Sequence, residues 1–259
     1  MKIVAALTAK DEDWIIKKTL SVLNKFCDKI IILDDNSTDN TEKICRSFEK
    51  VDWHVRKKRT NIWERKEAEG LNECFTLAAK HNPDYILMLD ADEIPTPSFI
   101  NFINNIDTSV SAWCIRMINL QPDINHYRTD NFFTSGGIRI NNDPFGGRGW
   151  RKTVLIKYDE NFNYTYNFNI QKGGTSQYHP APQNLKNVKL TEDFYVIHYG
   201  RLGQKYKSGE KNRFYSLIES RDGKGTYENR LKHHEECRTK TGINGMGVKK
   251  CLSEWFWDE

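Results

Sequence analysis

Asp90 and Asp92 are separated by one small residue and follow directly on the apolar run Tyr85-Ile86-Leu87-Met88-Leu89. A run of that length and character is expected to form a fully buried central strand. Two carboxylates are therefore delivered together at a strand end. Like charges there repel and resist desolvation unless a cation stands between them. Carboxylate oxygens suit hard divalent ions such as Mg2+ or Mn2+, which keep open positions for phosphate oxygens. The segment Asp84 to Glu93 points to metal-assisted chemistry on a phosphate-bearing substrate. A D-x-D tripeptide alone is not specific, because carboxylates at strand ends are common.

A second acidic strand end lies upstream. Lys29 to Leu33 is another buried-strand pattern, and it empties into Asp34-Asp35-Asn36-Ser37-Thr38-Asp39-Asn40-Thr41. Ser37 or Thr38 is expected to cap the next helix, with Asp39 and Glu42 in its first turn favoured by the macrodipole. A good cap accounts for the Ser, the Thr and Asp39. It does not account for Asp34 and Asp35, which stand where open α/β sheets bind ligands.

These carboxylates need a scaffold, and the chain supplies one. Lys2 to Leu7 reads as an opening strand, and Ile16, Leu20 and Leu23 follow at helical spacing. A second helix runs through Ile44 and Phe48, and a short strand lies around Trp53 to Val55. A third helix with Leu71, Phe75 and Ala78 on one face leads into the Tyr85 strand. The order β-α-β-α-β-α-β predicts a mostly parallel central sheet with helices on both faces. Beyond Glu93 the expected elements are a short helix at Phe99 to Ile103 and strands at Trp113 to Ile118, Lys152 to Tyr158 and Phe194 to His198. Asn119 to Arg151 shows little periodicity and reads as functional surface or loop.

The first hundred residues resemble a family 2 glycosyltransferase of the GT-A fold. The resemblance rests on Lys10-Asp11-Glu12 after the first strand, on Leu33 to Thr41, and on Leu89-Asp90-Ala91-Asp92-Glu93. It implies an α/β nucleotide-diphospho-sugar transferase domain over residues 1–218, followed by a charged, helical C-terminal extension over 219–259. It also implies a nucleotide-sugar donor, a UDP-sugar being favoured, and a glycan, lipid or protein hydroxyl as acceptor. The nucleotide would be held by Thr8, Lys10, Asp34, Asp35, Arg65 and Asp90.

The metal, Mn2+ or Mg2+, would be held by Asp92 and Asp90, with His198 brought from a late strand as many GT-A enzymes bring a histidine. An imidazole in the set suits Mn2+ somewhat better. Arg201, Trp150 and Arg151 are candidates for phosphate or acceptor contact, although a Gly-rich turn feeding a strand explains Trp150 and Arg151 equally well. An inverting transfer needs a carboxylate for the acceptor proton. Asp193 or Glu192, in Thr191-Glu192-Asp193, resembles the family's Glu-Asp pair. Where one branch carries a His-Glu pair, this chain reads Tyr178-His179-Pro180.

Composition narrows the classes further. At 259 residues and 38% hydrophobic content the chain can bury one sizeable core. A net charge of +4 set against 39 basic and 35 acidic residues gives no case for nucleic acid. Cys27, Cys45, Cys74, Cys114, Cys237 and Cys251 lack metal-ligand spacing and read as reduced thiols of a cytoplasmic protein. No apolar stretch is long enough for a membrane span. A phosphatase of the haloacid-dehalogenase type would carry its D-x-D after the first strand. A dinucleotide oxidoreductase would carry G-x-G-x-x-G there, and a nucleotidyltransferase a Gly-rich, Arg-containing loop. The remaining rival is a non-catalytic nucleotide- or carbohydrate-binding relic of the transferase fold.

Overall fold

The computed structural model describes residues 1–58, 67–120, 123–128, 151–165, 181–183, 185–200, 202, 225–232 and 248–258, with a few positions between 213 and 220. In chain order the elements are β1 (Ile3–Ala9), α1 (Ile16–Leu23), β2 (Lys29–Asp34), α2 (Thr41–Cys45), β3 (Val51–Val55) and α3 (Glu67–Ala79). They continue with β4 (Tyr85–Asp90), β5 (Glu93–Pro95), α4 (Phe99–Asn104), β6 (Ala112–Asn119), β7 (His126–Arg128) and β8 (Arg151–Lys157). The last are β9 (Asn163–Thr165), β10 (Ala181–Gln183), β11 (Val188–His198) and β12 (Val248–Lys250).

An eight-stranded sheet in the order β3-β2-β1-β4-β8-β6-β11-β5 forms the centre. The β-α-β alternation predicted for the first ninety residues is found there as four parallel strands. β8 then enters antiparallel between β4 and β6, and β11 lies parallel to β6. This arrangement leaves the carboxyl ends of β1, β4, β6 and β11 on one side. The short β5 closes the edge antiparallel to β11.

Period-two alternation decides what each strand buries. Ala5 and Leu7 face the cluster that contains Leu20 and Leu23 of α1 and Phe99 and Phe102 of α4. Val4 and Ala6 face the cluster of Ala68, Cys74 and Phe75 on α3. Helices therefore cover both faces, and the central strands are apolar throughout as such burial requires. Leu7 and Leu87 are wholly buried, so alanine at either would cost on the order of 2–5 kcal/mol.

The predicted cap of the second helix is corrected. The helix begins at Thr41 with Asn40 at the N-cap position and no side-chain cap bond. Ser37 and Thr38 are turned sideways instead, onto the loop that follows β1.

The C-terminal extension is also more than a helix. Residues 227–232 are helical, but β12 pairs antiparallel with β7 and a 3-10 turn spans Ser253–Trp255. Trp257 stacks on Phe26 and donates from Nε1 to the Pro95 carbonyl at 2.6 Å. Trp255 packs on Tyr127 and Tyr195. The terminal aromatics thus dock on the sheet's β5 edge. Among the described residues no helix is long and apolar enough to cross a membrane.

Candidate active site

Parallel register brings the acidic strand ends side by side. Thr8 of β1 is paired with Leu33 of β2 on one side and Asp90 of β4 on the other. Thr8 Oγ1 donates to Asp90 Oδ1 at 3.4 Å, and the Asp35 amide donates to the Ala9 carbonyl at 2.8 Å. Asp90 has a half-exposed side chain at this open end. Asp34 is buried and accepts from the Ser37 amide at 2.8 Å, so it shapes its own loop, whereas Asp35 is partly exposed.

The loops after β1 and β2 are stitched to each other. The Asp11 amide donates to Ser37 Oγ at 2.7 Å, and the Thr38 amide donates to Asp11 Oδ1 at 2.6 Å. The Glu12 amide donates to Thr41 Oγ1 at 2.7 Å, and Lys10 Nζ donates to the Asn36 carbonyl. Asp11 and Asn36 both take φ near +51° and +61°, a region that short polar side chains tolerate better than most residues. The sequence named Lys10 and the Asp-Asp loop; it did not reveal that they form one reciprocal network.

Asp92 lies in the turn between β4 and β5, and backbone bonds fix that turn. The Ala91 amide donates to the Thr8 carbonyl, and Thr19 of α1 donates to the Ala91 carbonyl at 2.7 Å. The Tyr199 amide donates to the Asp92 carbonyl at 2.9 Å, which ties the end of β11 to the turn. His198 Nε2 consequently stands 3.5 Å from Asp92 Oδ2, both side chains being largely buried. The other ring nitrogen, Nδ1, is 2.7 Å from Asn119 Oδ1 at the end of β6. An amide oxygen only accepts, so Nδ1 carries the proton, and in the neutral ring Nε2 presents its lone pair toward Asp92. Gly200 makes room: a Cβ there would stand 2.5 Å from His198 Nε2 and would overlap Asp92 Oδ2.

Lys152 and Glu93 complete the interior. Lys152 Nζ is 2.6 Å from Glu93 Oε2 and 3.3 Å from Asp90 Oδ2, and Glu93 Oε2 also accepts from the Asp90 amide at 2.8 Å. Burial, and then the nearby Asp90 charge, push the Glu93 carboxyl up from its ordinary value against the pull of Lys152. Lys152 is held protonated, since Asp90 and Glu93 outweigh the cost of its burial. Sequence reasoning missed Lys152, Asn119 and Gly200. The available signal was a lysine at the start of the otherwise apolar run Val154-Leu155-Ile156 and a glycine just past the His198 strand.

Asp90, Asp92, His198, Thr8, Lys10 and Asp35 are thus gathered at the carboxyl ends of the sheet. Glu192 and Asp193 are not. They sit in the irregular stretch of β11 between Thr191 and Val196, with Thr191 Oγ1 donating to Asp193 Oδ2. Between Thr191 and Val196 the register slips, five steps of β11 matching the two steps of β6 from Ile115 to Met117. Arg151 opens β8, and Arg65, Trp150 and Arg201 lie outside the described residues. Among the described residues no three His, Cys, Asp or Glu side chains are gathered closely enough to hold a metal by themselves.

Comparison with known proteins gives the following. Uncharacterized proteins of Mycobacterium bovis and Mycobacterium tuberculosis are each 32% identical over 96 residues, covering 36% of this chain and 23% of their own length. The chain thus spans about a quarter of the length of the curated relatives it matches. Among solved structures, S. aureus TarS 1-349 is similar with a TM-score of 0.48 at 15% identity, covering 93% of this chain and 74% of that one. TarS 1-349 in complex with UDP-GlcNAc gives 0.38 at 20% identity over 48% and 36% of the two chains. Glucosyl-3-phosphoglycerate synthase from Mycobacterium tuberculosis, in complex with Mn2+, UDP and glucosyl-3-phosphoglycerate, gives 0.35 at 18% over 46% and 44%. The model of glycosyl transferase family 2 matches residues 3–180, which takes in β1, the Asp-Asp loop and the D-x-D turn. By that match the chain belongs to glycosyl transferase family 2.

Proposed function

We propose that this chain transfers a glycosyl group from a nucleoside-diphosphate sugar, a UDP-sugar being favoured, to a hydroxyl acceptor with inversion. The observation that carries the reading is the facing pair Asp92 and His198, 3.5 Å apart beside Gly200. A carboxylate oxygen and an imidazole lone pair in a space that a single Cβ would fill fit a divalent cation, Mn2+ or Mg2+. Bound there, such a cation would neutralise charge on the departing diphosphate.

The chain's own residues do the rest. Asp35 and the Lys10 loop stand where the nucleoside would lie, at the carboxyl end of the parallel strands. Asp90, half exposed and held from within by Thr8 and Lys152, is available to the ribose. In the transfer the acceptor oxygen bonds to the anomeric carbon as the bond to the diphosphate oxygen breaks, and the acceptor proton passes to a base. A glycan, lipid or protein hydroxyl would each serve. A cytoplasmic setting is proposed from the cysteines, whose scattered positions lack metal-ligand spacing and of which Cys27, Cys45, Cys74 and Cys114 are buried.

A thermal-shift series with UDP-, GDP- and dTDP-sugars, with Mn2+ or with chelator, tests the reading. One donor should raise Tm only with the cation, since a ligand of the native state stabilises by about 2.7 kcal/mol at a hundred times its Kd. No shift with any donor in Mn2+ would overturn it. A shift without subsequent transfer or hydrolysis would favour the binding relic.

A further inference from the structure

We infer that Lys152 is a positioning residue that holds Asp90 away from the cation and turned to the nucleotide; this rests on the nucleotide-sugar reading above. Lys152 reaches Asp90 because β8 runs antiparallel beside β4, with Leu87 paired to Leu155. Its Nζ sits between Asp90 Oδ2 and Glu93 Oε2 at 3.3 and 2.6 Å. Glu93 is tied in turn to the Asp90 amide, so side chain and backbone of Asp90 are gripped by one pair. Thr8 takes the other carboxylate oxygen of Asp90. A carboxylate engaged on both oxygens from the interior keeps only outward lone pairs for a ligand. Asp92 has no such grip from Lys152 and faces His198 instead.

Removal of Lys152 would leave the inward oxygen of Asp90 without this partner. Two carboxylates freed in this way would compete for the cation, and Asp90 would swing toward Asp92. Lys152 therefore separates two tasks that the D-x-D tripeptide leaves adjacent.

The test measures UDP binding in chelator and Mn2+ binding without nucleotide, by calorimetry, on the full chain. Lys152→Met should weaken metal-free UDP binding at least tenfold and leave Mn2+ affinity unchanged or raised. Lys152→Arg should restore most of the UDP affinity. A purely structural lysine would lower both affinities together. Because Lys152→Met strands the buried Glu93 carboxylate, the double variant Lys152→Met, Glu93→Gln removes the pair as a whole and keeps the fold within reach. If the double variant binds UDP as the parent does, Lys152 serves only to neutralise Glu93 and the inference falls. Should the parent bind no nucleoside diphosphate in Mn2+, the proposed function fails, and this inference with it. Parent binding with unaltered affinities in Lys152→Met overturns the inference alone.

Discussion

His198 Nε2 faces Asp92 Oδ2 at 3.5 Å, and Asn119 decides which nitrogen it is that faces it. The three residues come from the ends of β11, the β4–β5 turn and β6, which the sheet order sets close together. In the neutral ring two electron-rich atoms are held opposite each other, an arrangement that a cation relieves. The geometry makes His198 and Asn119 unequal partners: one would ligate, the other orients.

Replacement of His198 by Ala should therefore lower Mn2+ affinity and transfer together. Asn119→Ala should do the same more weakly, by about 10–100-fold, as loss of an orienting partner does. Calorimetry with Mn2+ on both variants checks this. Unchanged affinity in Asn119→Ala would show that the ring needs no such partner.

Gly200→Ala should act on ligand binding before it acts on the fold. The added methyl would press on two side-chain ends, Asp92 Oδ2 and His198 Nε2, not on packed backbone. Circular dichroism and Tm are expected to stay near parent values while cation-dependent donor binding falls by an order of magnitude or more, the cost of a site displaced by about 1 Å. Parent-like donor affinity would mean that the space beside Gly200 is not used.

Glu192→Gln and Asp193→Asn should keep both donor affinity and turnover near the parent. Both lie within β11, ahead of the carboxyl end where Asp92 and His198 meet, and Asp193 is already engaged by Thr191 Oγ1. Steady-state kinetics decides the matter. A loss of roughly a hundred-fold or more in either variant would return the pair to the chemistry.

Asp39 gives a pH prediction. Burial would raise its carboxyl, but bonds from the Thr41 hydroxyl and amide and from the Asp13 amide outweigh that and hold it below its ordinary 3.8. A depressed acid adds stability above its unfolded pKa and loses it as pH falls through the folded value. Asp39→Asn should cost about 1 kcal/mol near neutrality, and the difference from the parent should vanish in acid. Urea denaturation at neutral and acid pH measures both. A difference independent of pH would mean that the charge of Asp39 contributes nothing.

The first half of the sheet was legible because local pattern and global fold agree there. The apolar runs of β1, β2 and β4 are buried parallel strands, and each leads into the polar residues that the carboxyl edge requires. Asp90, Asp92 and Asp35 could be placed from that logic alone. The antiparallel entry of β8 between β4 and β6 was not legible, since periodicity shows that Lys152 to Ile156 is a strand but not which neighbour it takes. Lys152, Asn119 and Gly200 were lost with it: their roles come from strand order, which brings them to Asp90, His198 and Asp92. The cap expected at Ser37 or Thr38 failed for a related reason, because Asp11, distant in sequence, competes for the same groups.

The most direct test of the account is the Mn2+ dependence of UDP binding in the parent chain and in Asp92→Asn. The substitution keeps volume and removes one negative charge from the face that meets His198. The account predicts that the parent binds UDP at least tenfold more tightly in Mn2+ than in chelator, and that Asp92→Asn binds it equally in both with Tm little changed. Undiminished Mn2+ dependence in Asp92→Asn would contradict the account.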